Sequence, residues 1–131
     1  MPVELKMLGW STALGLVYLL LATLLSLGQR GMAWNAGNRD EAVPLTGVAA
    51  RVDRASRNFL ETFAFFAAAV LVVVVGQRTG ARTALGAELY FWARVVYLPV
   101  YAAGIPYLRT LVWTVSVVGS VMVLSGVFGP G

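Results

Sequence analysis

The stretch Arg51-Val52-Asp53-Arg54-Ala55-Ser56-Arg57-Asn58-Phe59-Leu60-Glu61 runs directly into residues 62–77, which carry no charge. The uncharged run alone is too short for a hydrocarbon core of about 30 Å, which takes about 20 helical residues to cross. It becomes a full span only by drawing Arg57, Asn58 and Glu61 into the bilayer. Arg51, Arg54, Asn58 and Glu61 stand at i, i+3, i+7 and i+10, one face of a helix. A charge at the bilayer centre costs at least about 2.5–3.5 kcal/mol on insertion scales, and it normally faces protein or a water-filled cavity. The polar face of this helix must therefore look inward.

Three further apolar segments flank it. Residues 7–29 and 110–131 are free of charge and long enough to span alone. Residues 95–108 are shorter and reach full length only by including Glu88 and Arg94. The reading is an all-α integral membrane protein with four helices, at roughly 5–28, 51–77, 82–104 and 106–128. A long loop over 28–50, rich in Gly, Asn and Asp with Pro44, joins the first two. Residues 77–82 form a tight turn, and Pro106 suits the first turn of the last helix.

Composition agrees. Of 131 residues, 59% are hydrophobic and only 12% charged, against about 25% charged in an ordinary soluble domain. With no cysteine and no histidine, a disulfide framework, a thiolate or imidazole metal site, a Cys nucleophile and a His base are all excluded. The net charge of +4 reads as membrane topology, not nucleic-acid binding. Arg30, Arg39, Arg51, Arg54, Arg57 and Arg109 flank one side of the spans, and Lys6, Arg78 and Arg82 the other. The positive-inside rule then puts the long loop in the cytoplasm and the termini outside. A proton-coupled transporter is disfavoured, because the first span holds no central acid and Glu4 lies at its edge.

The third helix carries a matching seam: Tyr90, Arg94, Tyr97 and Tyr101 at i, i+4, i+7 and i+11. Glu61 lies roughly 15 Å below Arg51, and Arg94 roughly 15 Å from Gly104 on the same side of the membrane. The two should meet at similar depth and pair, which lowers the cost of burying both. Arginines, one Asn, one Glu and a tyrosine stripe converging on one membrane face fit an anionic ligand with several carboxylates or phosphates. Glu61 would accept an ammonium, while Asn58 and the tyrosines add neutral hydrogen bonds. A small zwitterionic peptide and a lipid head group both satisfy that inventory.

These residues also form a recognisable pattern. Arg54-Ala55-Ser56-Arg57-Asn58-Phe59-Leu60-Glu61 resembles the R-A-x-x-N-x-x-E motif of the MAPEG family, the membrane-associated proteins in eicosanoid and glutathione metabolism. Ala93-Arg94-Val95-Val96-Tyr97-Leu98-Pro99-Val100-Tyr101 is similar to its A-R-x-x-Y/H-x-x-x-Y motif. Leu108-Arg109-Thr110 matches the Arg that opens its fourth helix. The resemblance covers all four spans in order and is closest to distant bacterial-type members.

The resemblance implies a homotrimer of four-helix subunits in a bacterial inner membrane, with glutathione bound between subunits near the cytoplasmic face. By position, Arg54, Asn58 and Glu61 would hold the glutathione backbone, and Arg94, Tyr97 and Tyr101 would line the site. Arg51, and Arg30 after the first helix, are further candidates for a carboxylate. Arg109 would face the sulfur, with Thr110 as a hydroxyl donor. The implied activity is a glutathione-dependent transferase or peroxidase acting on a lipophilic second substrate by thiolate attack. The alternative is a non-catalytic protein binding glutathione or an anionic lipid. Three departures stand out. Ala64 replaces a frequent Pro, which favours a straighter second helix. Trp113 occupies a position where some members have Tyr, and Tyr97 one where prostaglandin-synthase-like members have His.

Overall fold

The computed structural model describes residues 1–129. It is helical, with no strand among the described residues: α1 (Val3–Arg30), α2 (Met32–Ala36), α3 (Gly47–Val75), α4 (Ala81–Ala102) and α5 (Pro106–Leu124), closed by a 3₁₀ turn at Ser125–Val127. Three helices, Val3–Arg30, Gly47–Val75 and Pro106–Val127, are long and apolar enough to cross a membrane. α4 has 22 residues, but Glu88, Arg94 and its aromatic residues leave it less apolar.

The boundaries depart from the sequence reading in two places. α3 begins at Gly47, ahead of the expected residue 51, so Arg51 falls inside the helix and not at its mouth. The loop, expected to be irregular from 28 to 50, contains the short helix α2. It is tied down by side chains. Gln29 exchanges two 3.0 Å hydrogen bonds with the backbone of Thr46. The Arg30 Nε donates to the Val43 carbonyl at 2.6 Å, and its guanidinium lies 4.3 Å from the centre of the Trp34 ring. Arg30 is thus a loop clasp. α3 runs unbroken through Ala64, as the missing proline allows.

α3 and α4 pack together at the centre, with α1 against both and α5 against both; α1 and α5 do not meet. The closest approach is between α4 and α5. A Cβ added at Gly119 would stand 2.5 Å from the Gly86 carbonyl oxygen, and one at Gly86 would stand 2.6 Å from that of Gly119. Backbone touches backbone here, the close approach that small residues permit between helices in a membrane.

Two packed layers fill the interior. Phe66, Val70, Val73, Ala87, Tyr90 and Val123 form the layer nearer the termini, with the Phe66 and Tyr90 rings stacked at 4.0 Å. Tyr18, Ala55, Phe59, Tyr97 and Tyr101 form the layer nearer the loop. Beyond the first layer, Glu4 is buried and accepts a hydrogen bond from the Thr83 hydroxyl. Thr83 in turn accepts from the Gly80 N–H that precedes α4. The outer faces expose Leu16, Leu20, Leu24, Phe65, Leu71, Trp92 and Leu111, apolar surface of the kind hydrocarbon covers.

Candidate functional site

The loop-side ends of α3, α4 and α5 enclose a cleft of about 420 Å³. α3 brings Arg54, Arg57, Asn58 and Glu61 to it, and α4 brings Tyr97 and Tyr101. The far wall is α5, with Arg109, Thr110 and Trp113. That wall stands where it does because of the turn before it. α4 ends soon after Pro99, which cannot donate a helical hydrogen bond. Gly104, at φ 75°, then reverses the chain beneath the Arg51 side chain. Pro106 restarts the helix at its first position, so Arg109 lies one turn in, with its backbone N–H bonded to the Ile105 carbonyl at 3.1 Å.

Tyr101 links two of the cations. Arg54 Nε donates to its hydroxyl at 3.2 Å, and the Arg109 guanidinium lies 4.8 Å from the ring centre. Such a contact is worth about 0.5–2 kcal/mol depending on desolvation, and it aims both cations without consuming their charge. Arg57, largely exposed, is partly neutralised by the half-buried Asp53 at 3.2 Å on the same helix face. Glu61 is exposed to the cleft and accepts no hydrogen bond from the described residues. The Thr110 hydroxyl donates back to the Pro106 carbonyl at 3.3 Å.

Arg94 lies deeper. It is 0% exposed and does not line the cleft. The expected Arg94–Glu61 pair does not form: Arg94 Nη1 donates instead to the Asn58 Oδ1 at 3.0 Å. Its guanidinium is packed among rings, 4.1 Å from the centre of Tyr97, 5.4 Å from Phe59 and 6.0 Å from Tyr18. Its Nε and Nη2 find no acceptor among the described residues. The depth argument placed Arg94 well, but the helix rotation turns Asn58 toward it and Glu61 toward the open cleft. α1 is held to the same spot by the Tyr18 hydroxyl, which donates to the Arg94 carbonyl at 2.5 Å.

Of the residues the sequence singled out, Arg54, Asn58, Glu61, Tyr97, Tyr101, Arg109 and Thr110 converge on the cleft. Arg94 supports it from below. Arg51 is outside, its Nε bonded to the Ala102 carbonyl at 2.8 Å, where it caps the end of α4. Arg57 and Trp113 also line the cleft, though neither was among the expected site residues. Helical spacing was the signal for both: Arg57 is at i+3 from Arg54, and Trp113 at i+4 from Arg109. No cluster of metal-ligating residues occurs among the described residues.

The cleft can therefore receive an anion, with one carboxylate left to meet a cation. Comparison with curated proteins and with solved structures gives no match. The family model described as the MAPEG family matches residues 7–128, so most of the chain, including every residue of the cleft, is covered, and the protein belongs to the MAPEG family.

Proposed function

We propose that the cleft binds glutathione and activates its thiol for attack on an apolar electrophile that arrives through the bilayer. The observation carrying this reading is the charge arrangement: Arg54 and Arg109 flank Tyr101, with the single unengaged carboxylate of Glu61 in the same cleft. A peptide with two carboxylates and one ammonium has the complementary pattern. Arg54 and Arg57 would take the carboxylates, Glu61 the ammonium, and Asn58 and Tyr97 the amide groups.

A thiol of pKa about 8.5 is only a few per cent thiolate at neutral pH, and the thiolate is the nucleophile. A fixed guanidinium within about 4–6 Å lowers that pKa by one or more units. Arg109 is placed for this task, and the N-terminus of α5 adds positive potential. The proton leaves to water, since an arginine side chain stays protonated and cannot accept it. The thiolate displaces a leaving group to form a thioether. With a hydroperoxide, two thiols reduce the O–O bond, giving an alcohol, water and the disulfide.

With MAPEG membership, the three long apolar helices mark an integral membrane protein. In our reading α4 also spans, sheltered by α1, α3 and α5, the subunits form a homotrimer in a bacterial inner membrane, and the long loop is cytoplasmic. A neighbouring subunit would close the open side of the cleft. Native mass spectrometry in mild detergent tests the trimer, and a clean monomer overturns it. Calorimetry with glutathione followed by conjugation of an aryl halide tests the activity. Binding without turnover would leave a non-catalytic glutathione protein, and binding of anionic lipid alone would replace glutathione altogether.

A further inference from the structure

Gly15, near the middle of α1, lines no part of the cleft. It stands instead against Phe59 of α3: a Cβ added at Gly15 would lie 2.7 Å from the ring's Cε1 and 3.3 Å from its Cζ. Packed carbons do not approach so closely, so the ring edge already fills the space of a side chain at position 15. The ring has little room to yield. Phe59 is 1% exposed, and its centre lies 4.7 Å from that of Tyr18, 5.5 Å from Phe63 and 6.3 Å from Tyr90. The Arg94 guanidinium closes a further side at 5.4 Å. Interiors packed this closely transmit a displacement and do not absorb it.

What the ring holds matters to the cleft. Phe59 directly follows Asn58, which accepts from Arg94 at 3.0 Å, and Glu61, two residues on, faces the cleft. Successive helical residues point about 100° apart, so the seat of Phe59 aims both. α1 is not free to step back from a larger residue either. Three residues from Gly15, the Tyr18 hydroxyl ties α1 to the Arg94 carbonyl of α4 at 2.5 Å. Gly15, Phe59 and Arg94 thus brace α1, α3 and α4 at one level.

We propose that Gly15 is a positioning residue for the cleft: a notch on α1 that seats the Phe59 ring and so sets the rotation of α3, giving Asn58 to Arg94 and leaving Glu61 to the cleft. The seat itself needs no ligand; its effect on ammonium recognition rests on the glutathione reading above.

Two measurements test it. Ala forms helix better than Gly, so any loss in Gly15→Ala traces to the ring. Asn58→Ala should lower the melting temperature of wild type in detergent. Made in Gly15→Ala, it should lower it no further, because the turned α3 has already taken Asn58 from Arg94. An equal drop in both backgrounds overturns the seat. The second measurement is calorimetry with glutathione and with its analogue carrying hydrogen in place of the ammonium. Wild type should prefer glutathione by roughly tenfold or more, the worth of a hydrogen bond to a charged group, and Gly15→Ala should lose that preference. A merely unstable variant would bind in smaller amount with its preference intact, and an intact preference overturns the link to the cleft. Phe59→Leu alone, which empties the notch, should lose the preference too, and keeps the test open if Gly15→Ala does not fold. Gly15→Ala combined with Phe59→Leu refills the notch and should restore the preference; failure to restore it also overturns the proposal. If wild type itself shows no preference, the ammonium reading fails, and the melting comparison decides the seat without it.

Discussion

Arg109 holds its guanidinium 4.8 Å from the centre of the Tyr101 ring, and that guanidinium donates no hydrogen bond to the described residues. The ring fixes the cation and leaves its N–H groups free for an anion. If that anion is the glutathione thiolate, Arg109→Ala raises the pKa of the bound thiol toward about 8.5. Ultraviolet titration of the thiolate band should then show the absorbance step at higher pH, and turnover at neutral pH should fall. Arg109→Lys keeps the charge but loses the planar fork, and should give an intermediate shift. An unmoved titration in both variants removes Arg109 from the chemistry.

Glu61 is the carboxylate of the cleft, and it has no partner among the described residues. Glu61→Gln keeps the shape and removes the charge, so glutathione should bind more weakly by about 1.5–3 kcal/mol, the range for hydrogen bonds to charged groups. Thermal stability should hardly change, because Glu61 is exposed and bonds no group among the described residues. Calorimetry and a melting curve on one sample check both halves; unchanged affinity means that the ammonium does not sit at Glu61.

Asn58 is the only side chain accepting a hydrogen bond from Arg94 among the described residues. Asn58→Ala should destabilise the fold by about 1–3 kcal/mol, since it leaves a wholly buried guanidinium without an acceptor. Asn58→Asp should act differently, giving Arg94 a counter-charge while weakening the attraction of the cleft for anions. Tighter glutathione binding in Asn58→Asp would contradict a positive cleft floor.

Gly119→Ala should lower the melting temperature in detergent, because the new methyl would meet the Gly86 carbonyl and the Tyr90 N–H at 2.5 and 2.8 Å. Overpacking of this kind costs about 1–3 kcal/mol. Gly9→Ala is the control: nothing lies within 4 Å of its added Cβ, and a helical Gly→Ala change is neutral or stabilising. Equal melting curves for the two variants would show that α4 and α5 yield easily at their crossing.

Much of the cleft was legible because charges inside an apolar chain are few and helical spacing assigns them to faces. Arg54, Asn58 and Glu61 are on one face by count alone, and the structure keeps them together. What spacing could not supply was the rotation of α3 about its axis. A few tens of degrees decide whether Asn58 or Glu61 meets Arg94, and packing of Phe59 against Tyr18 at 4.7 Å sets that angle. Arg51 shares that face by spacing, but one turn further out it meets the Ala102 carbonyl at the end of α4 and not the cleft. The Gly86–Gly119 contact was invisible, since two glycines in apolar helices announce no partner until the helices are brought together. α2 was missed because Gly, Asn and Asp signal irregular chain, while Trp34, clasped by Arg30, supplies the contact that orders it.

The burial of Arg94 has a consequence for how the cleft responds to its medium. Arg57 is largely exposed and already paired with Asp53, so its pull on an incoming anion is shielded by dissolved ions, which at physiological strength act within about 8 Å. Arg94 is sealed beneath Asn58 and Tyr97, where those ions do not enter, and buried charges are screened far less. The attraction therefore divides into an outer part that fades as salt rises and an inner part that persists. An anion would be gathered loosely at low ionic strength by the rim, yet held at any ionic strength by a cation it never touches.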